Sequence, residues 1–280
     1  MRLLLTASVC LATLTANAQA HDPAAQATYL GNEGVMVARG DTKILFDAFY
    51  ANSYGQYALV PDEISDAMLN GAAPYDGVDA IFVSHVHGDH FTAEPAIAYM
   101  RAQPDVLLYA SMQIREAFLE AGVAEDDPVL KRVHTFDMEP DHDPVSFDVE
   151  GLYVDVVNIP HAGDRPNIQN FAWRVTLDDA TTVIHLGDAG TVIADFERHA
   201  DHFAKRDHDA AFPPYWLYLN DDGRKILETY IGAVQTIGVH VPERAAGQGD
   251  AWRAQAGGDL FTDPGETREI GAGDHASEDE

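Results

Sequence analysis

The chain has 280 residues and is strongly acidic: 46 are Asp or Glu, 17 are Lys or Arg, and the formal net charge is −29. Hydrophobic residues make up 46%, enough for a packed core, and the length allows one large domain or two small ones. The charge weighs against a nucleic-acid partner and against docking on anionic membranes, because both would meet a repelling surface. A salt-adapted surface and an ordinary extracytoplasmic protein account for this charge equally well.

The first twenty residues have the features of a signal peptide. Arg2 supplies the positive charge, residues 3–14 form an apolar stretch too short to span a bilayer, and Ala18-Gln19-Ala20 is a small-x-small cleavage signal. We therefore expect cleavage after Ala20 and a mature protein that is periplasmic or secreted.

The single cysteine, Cys10, lies inside this predicted signal peptide. The mature chain is then expected to contain no cysteine, which excludes disulfides, thiol nucleophiles and thiolate metal ligands together. Any metal ion in the mature protein must be held by histidine and carboxylate side chains.

Residues 21–262 are predicted to form one domain, followed by a polar tail at 263–280 that we expect to be disordered. The domain opens with a hairpin, whose strands 35–38 and 44–47 flank the turn Arg39-Gly40-Asp41-Thr42. In chain order, we further predict helix 62–69, strand 80–84, helix 95–101, strand 106–109, helix 112–121, paired strands within 145–159, strands 171–177, 182–186 and 210–212, helix 224–234 and strand 237–239.

The segment that follows the predicted strand 80–84 carries four potential metal ligands within six residues. It reads His85-Val86-His87-Gly88-Asp89-His90. Alternation places the side chains of His85, His87 and Asp89 on one side, and the glycine allows a bend that swings Asp89 and His90 toward a second point. Two neighbouring cations could therefore each take two of these ligands.

This His-x-His-x-Asp-His run resembles the signature of the metallo-β-lactamase superfamily. The resemblance implies an α+β fold, a four-layer αββα sandwich with metals at one edge of the two sheets, and it covers residues 28–245. A weaker likeness to the ascorbate-phosphate-lactonase-like branch rests on Tyr29-Leu30-Gly31 and on Pro213-Pro214-Tyr215-Trp216.

The resemblance also implies three further ligands, each at a strand end downstream of the motif. Three histidines would hold one metal, an aspartate and two histidines the other, and one aspartate would bridge both. The two sets are His85, His87 and His161 for the first metal and Asp89, His90 and His240 for the second, with Asp188 as the bridge. The family often has Thr after this bridging aspartate, whereas this chain has Ala189.

Nitrogen and oxygen donors make two Zn²⁺ ions the default expectation, while Mn²⁺ and Fe²⁺ also suit imidazole and carboxylate. Two adjacent cations would lower the pKa of a bridging water from about 15.7 toward roughly 7. The resulting hydroxide would attack a carbonyl or phosphoryl centre, with Asp89 as the catalytic residue that accepts the proton.

The predicted function is that of an exported dinuclear hydrolase acting on a small-molecule ester, lactone or phosphoester. Its partner is then a small-molecule substrate, without nucleic acid or stable membrane association, and the sequence does not indicate the oligomeric state. Two alternatives are a non-hydrolytic redox member of the superfamily and a metal-binding module without catalysis. The complete ligand set argues against the module, and the absence of a predicted flavin domain after Pro242 argues against the redox enzyme.

Several other residues have two possible roles. Asp47 ends an early strand and could orient a ligand histidine. Arg165 and Asn170 could contact substrate oxygens or simply shape a loop, and Tyr215 and Trp216 could line the pocket or pack. The remaining histidines are expected in the core at His185 and on the surface at His134, His142, His199, His202 and His208.

Overall fold

The computed structural model describes residues 24–149 and 151–271, and in this part of the chain two seven-stranded sheets face each other. Helices cover the outer face of each sheet, so the predicted αββα sandwich is confirmed. None of the helices in the described ranges has the length and apolar character that crossing a membrane requires. The predicted signal peptide and residues 272–280 of the predicted tail lie outside the described residues.

The described part of the chain contains fourteen strands and seven α-helices. The strands are β1 Ala25–Gly31, β2 Gly34–Arg39, β3 Thr42–Phe46, β4 Ala80–Phe82, β5 Leu107–Ser111, β6 Val133–Phe136, β7 Val145–Val149, β8 Leu152–Asn158, β9 Phe171–Leu177, β10 Thr181–His185, β11 Ala210–Phe212, β12 Gln235–Gly238, β13 Asp259–Leu260 and β14 Thr267–Ile270. The helices are α1 Asp62–Leu69, α2 Ala93–Ala102, α3 Met112–Glu120, α4 Ile193–Glu197, α5 Ala200–Phe203, α6 Asp221–Ile226 and α7 Gly249–Ala256.

Each sheet is antiparallel in one half and parallel in the other. The first has the order β14-β1-β2-β3-β4-β5-β6 and is parallel from β3 onward; the second has the order β13-β12-β11-β10-β9-β8-β7 and is parallel from β10 to β13. In a parallel run, the carboxyl ends of neighbouring strands meet at one edge of the sheet. The loops after β4, β10 and β12 therefore lie at these edges, where their side chains can form a common site.

The main core lies between the two sheets and is rich in aromatic side chains, among them Phe46, Phe82, Trp173 and Phe212. A second apolar cluster lies between the first sheet and α1 to α3, and a third lies between the second sheet and α4 to α7. Because the parallel strands are covered on both faces, β4 and β11 are apolar and buried at every position.

The elements with a clear apolar pattern were predicted well. The hairpin of β2 and β3, helix α1 and strands β9 and β11 are confirmed. The predicted helix 224–234 is wrong in its bounds. Helix α6 starts earlier, because the side chain of Asn220 accepts a hydrogen bond from the backbone N–H of Gly223 at 2.8 Å. It continues as a π-helical turn, Leu227–Ile231, and ends where Gly232 adopts a φ of 57°.

The predicted disordered tail is also wrong in its first part, since β14 lies within 263–280. This strand pairs with β1 in antiparallel register, with Ala25 opposite Ile270. Of its four side chains only Ile270 is buried, and Arg268 forms an ion pair with Asp259. Backbone pairing at the sheet edge and this ion pair hold a strand that hydrophobicity alone does not reveal.

Three histidines predicted to lie on the surface are instead buried: His199, His202 and His208. His208 is only 1% exposed, and its Nδ1 donates a hydrogen bond to the carbonyl of Ile231 at 2.6 Å. Burial lowers its pKa to about 4, so the imidazole is neutral in the folded protein at neutral pH.

Acidification should therefore destabilise the fold through His208. The pKa of His208 in the folded protein lies below the unfolded value of about 6.5. The contribution of His208 to the free energy of unfolding is therefore complete above pH 6.5 and is lost as the pH falls toward 4. By this linkage, the destabilisation caused by His208→Gln should be about 2 kcal/mol smaller at pH 5 than at pH 7.5. Urea unfolding at both values measures this, with the exposed His134→Gln as the matched control. An equal effect of His208→Gln at both pH values would contradict it.

Candidate metal centre

The seven predicted ligands lie together at one edge of the sandwich, in loops that follow strand ends. His85, His87, Asp89 and His90 follow β4, His161 follows β8, Asp188 follows β10 and His240 follows β12. Apart from the half-buried His87 and His161, all of them are buried. The fold thus collects side chains from four loops into one site.

The first group consists of His85, His87, His161 and Asp188. Nδ1 of His87 lies 3.0 Å from Nε2 of His85 and 3.1 Å from Nε2 of His161. Oδ2 of Asp188 lies 3.1 Å from Nε2 of His161 and 3.9 Å from Nε2 of His85. Ligands of a tetrahedral zinc with bonds of about 2.0–2.1 Å are roughly 3.3 Å apart, so these four atoms fit one cation.

The second group has similar spacing. Nε2 of His240 lies 3.4 Å from Oδ2 of Asp89, and Nε2 of His90 lies 3.8 Å from the same oxygen. Oδ1 of Asp188 lies 3.1 Å from Nε2 of His240 and 3.4 Å from Nε2 of His90. Asp89, His90 and His240 thus form a second group of possible ligands, and Oδ1 of Asp188 lies beside its two histidines.

Asp188 is shared between the two groups, one oxygen in each. Oδ1 of Asp188, Nε2 of His90 and Nε2 of His240 are all buried without a hydrogen-bond partner among the described residues. Buried polar atoms normally have partners, so three unpaired atoms that converge on one point indicate a cation. The donor set therefore fits two divalent ions joined by the Asp188 carboxylate.

Asp47 and Ser84 orient the histidines, as was predicted for Asp47. Nδ1 of His90 donates to Oδ2 of Asp47 at 2.9 Å, which leaves its Nε2 free for a metal. The Ser84 hydroxyl donates to the same Asp47 oxygen at 2.5 Å, and it lies 3.0 Å from Nδ1 of His85. The buried carboxylate of Asp47 thus orients His90 directly and His85 through Ser84.

Asn170 positions Asp188 and does not face the cavity. It is fully buried; its amide N–H groups donate to the carbonyls of Ile159 and Leu186, and its Oδ1 accepts from the backbone N–H of Asp188 at 2.9 Å. Of its two possible roles, the structural one is correct. His185 is buried as predicted, stacked on the ring of Phe46.

Glu33 is a residue that the sequence pattern did not reveal. It lies in the turn between β1 and β2, is fully buried, and neither carboxyl oxygen has a hydrogen-bond partner among the described residues. Oε2 is 3.7 Å from Nδ1 of His90 and 3.7 Å from Nε2 of His185. Burial raises the pKa of Glu33 well above its usual range, so the protonated form of this carboxyl is favoured.

The electrostatics of His85 and Asp188 suit metal binding. Burial lowers the pKa of His85 well below its usual value, which keeps the imidazole neutral and its lone pair available. Although burial opposes ionisation of Asp188, the nearby His240 and His90 hold its pKa well below the usual range. Neutral imidazoles and ionised carboxylates are the forms that coordinate a cation.

A cavity of about 510 Å³ gives access to both groups. Its walls include Tyr54, Tyr57 and Arg165 beside five of the predicted ligands. Burial raises the pKa of Tyr57 to about 12, so its hydroxyl remains a hydrogen-bond donor. Tyr215 and Trp216 do not line this cavity; Trp216 packs edge-on against His240 and donates a hydrogen bond to the carbonyl of Ala189 at 3.0 Å.

Residues 42–228 match the family described as "Beta-lactamase superfamily domain". The chain therefore belongs to the metallo-β-lactamase superfamily, as the motif predicted. This assignment confirms the predicted fold and agrees with the predicted enzyme class, a metal-dependent hydrolase. A comparison with curated protein sequences finds no significant match.

Several solved structures share the fold at low sequence identity. Igni18, a metallo hydrolase from Ignicoccus hospitalis, has a TM-score of 0.59 at 15% identity, covering 89% of this chain and 99% of its own. An isothiocyanate hydrolase from Delia radicum gut bacteria has a TM-score of 0.55 at 15% identity, covering 88% and 100%. CmlA, a diiron β-hydroxylase from Streptomyces venezuelae, has a TM-score of 0.50 at 14% identity, covering 89% and 54%.

Proposed function

We propose that the protein is an exported hydrolase that uses two divalent cations to cleave a small-molecule ester, lactone or phosphoester. The observation that carries the proposal is the geometry of Asp188. Its Oδ2 lies 3.1 Å from Nε2 of His161 in the first group, and its Oδ1 lies 3.1 Å from Nε2 of His240 and 3.4 Å from Nε2 of His90 in the second, so one carboxylate can reach a cation in each group.

Each set of residues has a separate task in this proposal. His85, His87 and His161 hold one cation, while Asp89, His90 and His240 hold the other. Bound cations would supply Lewis-acid chemistry, lowering the pKa of water and polarising a carbonyl or phosphoryl oxygen.

Asp89 is proposed as the proton acceptor. It lines the cavity, and although burial opposes ionisation, the neighbouring His240 and His90 lower the pKa of its carboxyl. The carboxylate is therefore ionised at neutral pH and can accept a proton as water attacks. Tyr57, which lines the same cavity, can donate a hydrogen bond to substrate.

We propose zinc as the metal, because each group combines imidazole nitrogen with carboxylate oxygen. Manganese and iron suit the same donors. A redox role is the second candidate, and the observation that favours it is the shared fold with a diiron β-hydroxylase. Metal analysis and a substrate screen separate these roles from each other and from metal binding without catalysis.

Export to the periplasm or beyond the cell is supported by the sequence features of residues 1–20. The proposal includes a small-molecule substrate and excludes nucleic acid and stable membrane association. The net charge of −29 supports this, because a polyanion would be repelled at low salt.

The test combines metal analysis with a hydrolysis screen. Purified protein loaded with zinc, manganese or iron should bind about two ions per chain and hydrolyse at least one class among lactones, esters, phosphoesters, thioesters and β-lactams. Chelation should remove both the metal and the activity, and re-addition should restore both. One ion per chain would contradict the dinuclear proposal, and full activity in a metal-free preparation would contradict metal-dependent hydrolysis.

A further inference from the structure

Arg165, at the entrance to the candidate metal centre, is a cation whose guanidinium has no partner among the described residues. It lies in the loop after His161 and lines both the cavity over the metal groups and an adjoining groove of about 560 Å³. Among the residues that the structure describes, none forms a hydrogen bond or an ion pair with its guanidinium. Glu139 and Asp164 line the same groove, yet neither lies within ion-pair distance of it.

Of the twelve described arginines, seven form ion pairs with carboxylates, and Arg165 is among the five that do not. Other arginines form ion pairs with carboxylates: Arg39 with Asp178, Arg174 with Asp155 and Arg268 with Asp259. Arg165 is also the one lysine or arginine among the described residues that line the cavity and the groove. A free guanidinium beside a metal centre therefore remains available to a ligand.

We propose that Arg165 binds a carboxylate of the substrate while the bond to be cleaved lies at the metal groups. This inference rests on the proposed function and adds a substrate class to it, a hydrolysable ester or lactone that carries a carboxylate. The planar guanidinium donates two parallel hydrogen bonds to a carboxylate, a geometry that no other cation around this site offers. His161, which lines both spaces, places this contact next to the predicted first metal group.

The groove also limits the rest of the substrate. Glu139 and Asp164 would repel a second negative charge, so the geometry favours a single carboxylate. The substrate class is therefore a small ester or lactone with one negative charge.

A pair of chromogenic esters tests the inference. 4-Nitrophenyl hemisuccinate carries a free carboxylate, and its methyl ester is neutral with the same scissile bond and leaving group. Metal-loaded wild type should prefer the hemisuccinate by about tenfold in kcat/KM, mainly through KM. Arg165→Gln should reduce this preference to near parity. Arg165→Lys should retain part of this preference, because lysine keeps the positive charge but cannot donate the two parallel hydrogen bonds of a guanidinium.

Arg224→Gln is the matched control, since the guanidinium of Arg224 is also without a hydrogen bond or ion pair among the described residues. Arg224 is exposed and does not line either space. It removes the same charge and should leave the preference unchanged. Equal loss of preference in Arg224→Gln and Arg165→Gln would mean that net charge alone acts, and would overturn the inference.

A binding measurement separates this inference from the proposed function. If neither ester is hydrolysed, the hydrolase proposal fails for this substrate class, and both intact esters can be titrated calorimetrically into metal-loaded protein. Tighter binding of the hemisuccinate that disappears in Arg165→Gln would still support the carboxylate site. Equal affinity of wild type and Arg165→Gln for the hemisuccinate would show that the carboxylate binds elsewhere, for example on the cations, and would overturn it.

Discussion

Replacing Asp188 by asparagine is expected to lower kcat/KM by at least about 10³-fold and to reduce the metal content below two ions per chain. The substitution keeps the shape of the side chain but removes its charge and leaves only one oxygen. In the wild type, Oδ2 lies in the first group and Oδ1 in the second, 3.1 Å from His161 and from His240 respectively. An amide cannot serve both groups, because its nitrogen is a donor with no lone pair for a cation.

The measurements are kcat/KM on whichever substrate the screen identifies, metal content of the dialysed protein, and urea unfolding to establish that the variant folds. Asp148→Asn is the matched control, because Asp148 is exposed on β7 and its substitution removes the same charge far from the site. An Asp188→Asn protein that kept two ions and wild-type turnover would show that Asp188 does not bridge the metals.

The ligands could be predicted from sequence because each follows a recognisable strand. Short apolar runs before His85, His161 and His240 predict buried strands, and a polar side chain directly after such a run lies at a sheet edge, where binding sites form. The convergence of the four loops could not be derived from the residues alone. It was implied only by the resemblance to a family, and the structure brings the loops together through strand order.

The residues that support the site were harder to predict, because their partners are distant in sequence. Glu33 stands in a hairpin turn, where a glutamate is ordinarily exposed, but it is fully buried beside His90 and His185, which are distant in sequence. Asn170 contacts Asp188 across 18 residues, and Ser84 contacts Asp47 across 37. No local periodicity reports such contacts, so only a folded structure identifies these residues.

The same limit accounts for the errors in secondary structure. Helices α4 and α5 are five and four residues long and contain several charged side chains, so they have no clear apolar stripe. The side chain of Arg174, on β9 of the second sheet, donates hydrogen bonds to the carbonyl groups of His202 and Phe203. These bonds hold α5 against the sheet. Burial of the histidines here follows from tertiary contacts and not from the local sequence.

Gly187→Ala is expected to destabilise the metal-free protein by roughly 2–4 kcal/mol and to weaken metal binding. Gly187 precedes the bridging aspartate and has a φ of 54°, a conformation that costs a residue with a side chain about 1 kcal/mol. An added Cβ would also lie 2.4 Å from Oδ1 of Asn170 and 2.6 Å from Cβ of Ser84. Both neighbours orient ligands, so relief of the clash must displace part of the site.

Gly232→Ala separates the two contributions to this effect. Gly232 has nearly the same φ, 57°, but an added Cβ there meets no atom within 4 Å. This control should therefore lose only about 1 kcal/mol and retain full metal content. Urea unfolding of the metal-free proteins gives both free energies, and metal analysis gives the occupancy. Equal destabilisation of the two variants with two ions retained in each would mean that Asn170 and Ser84 can move without consequence, and that they do not determine the position of Asp188.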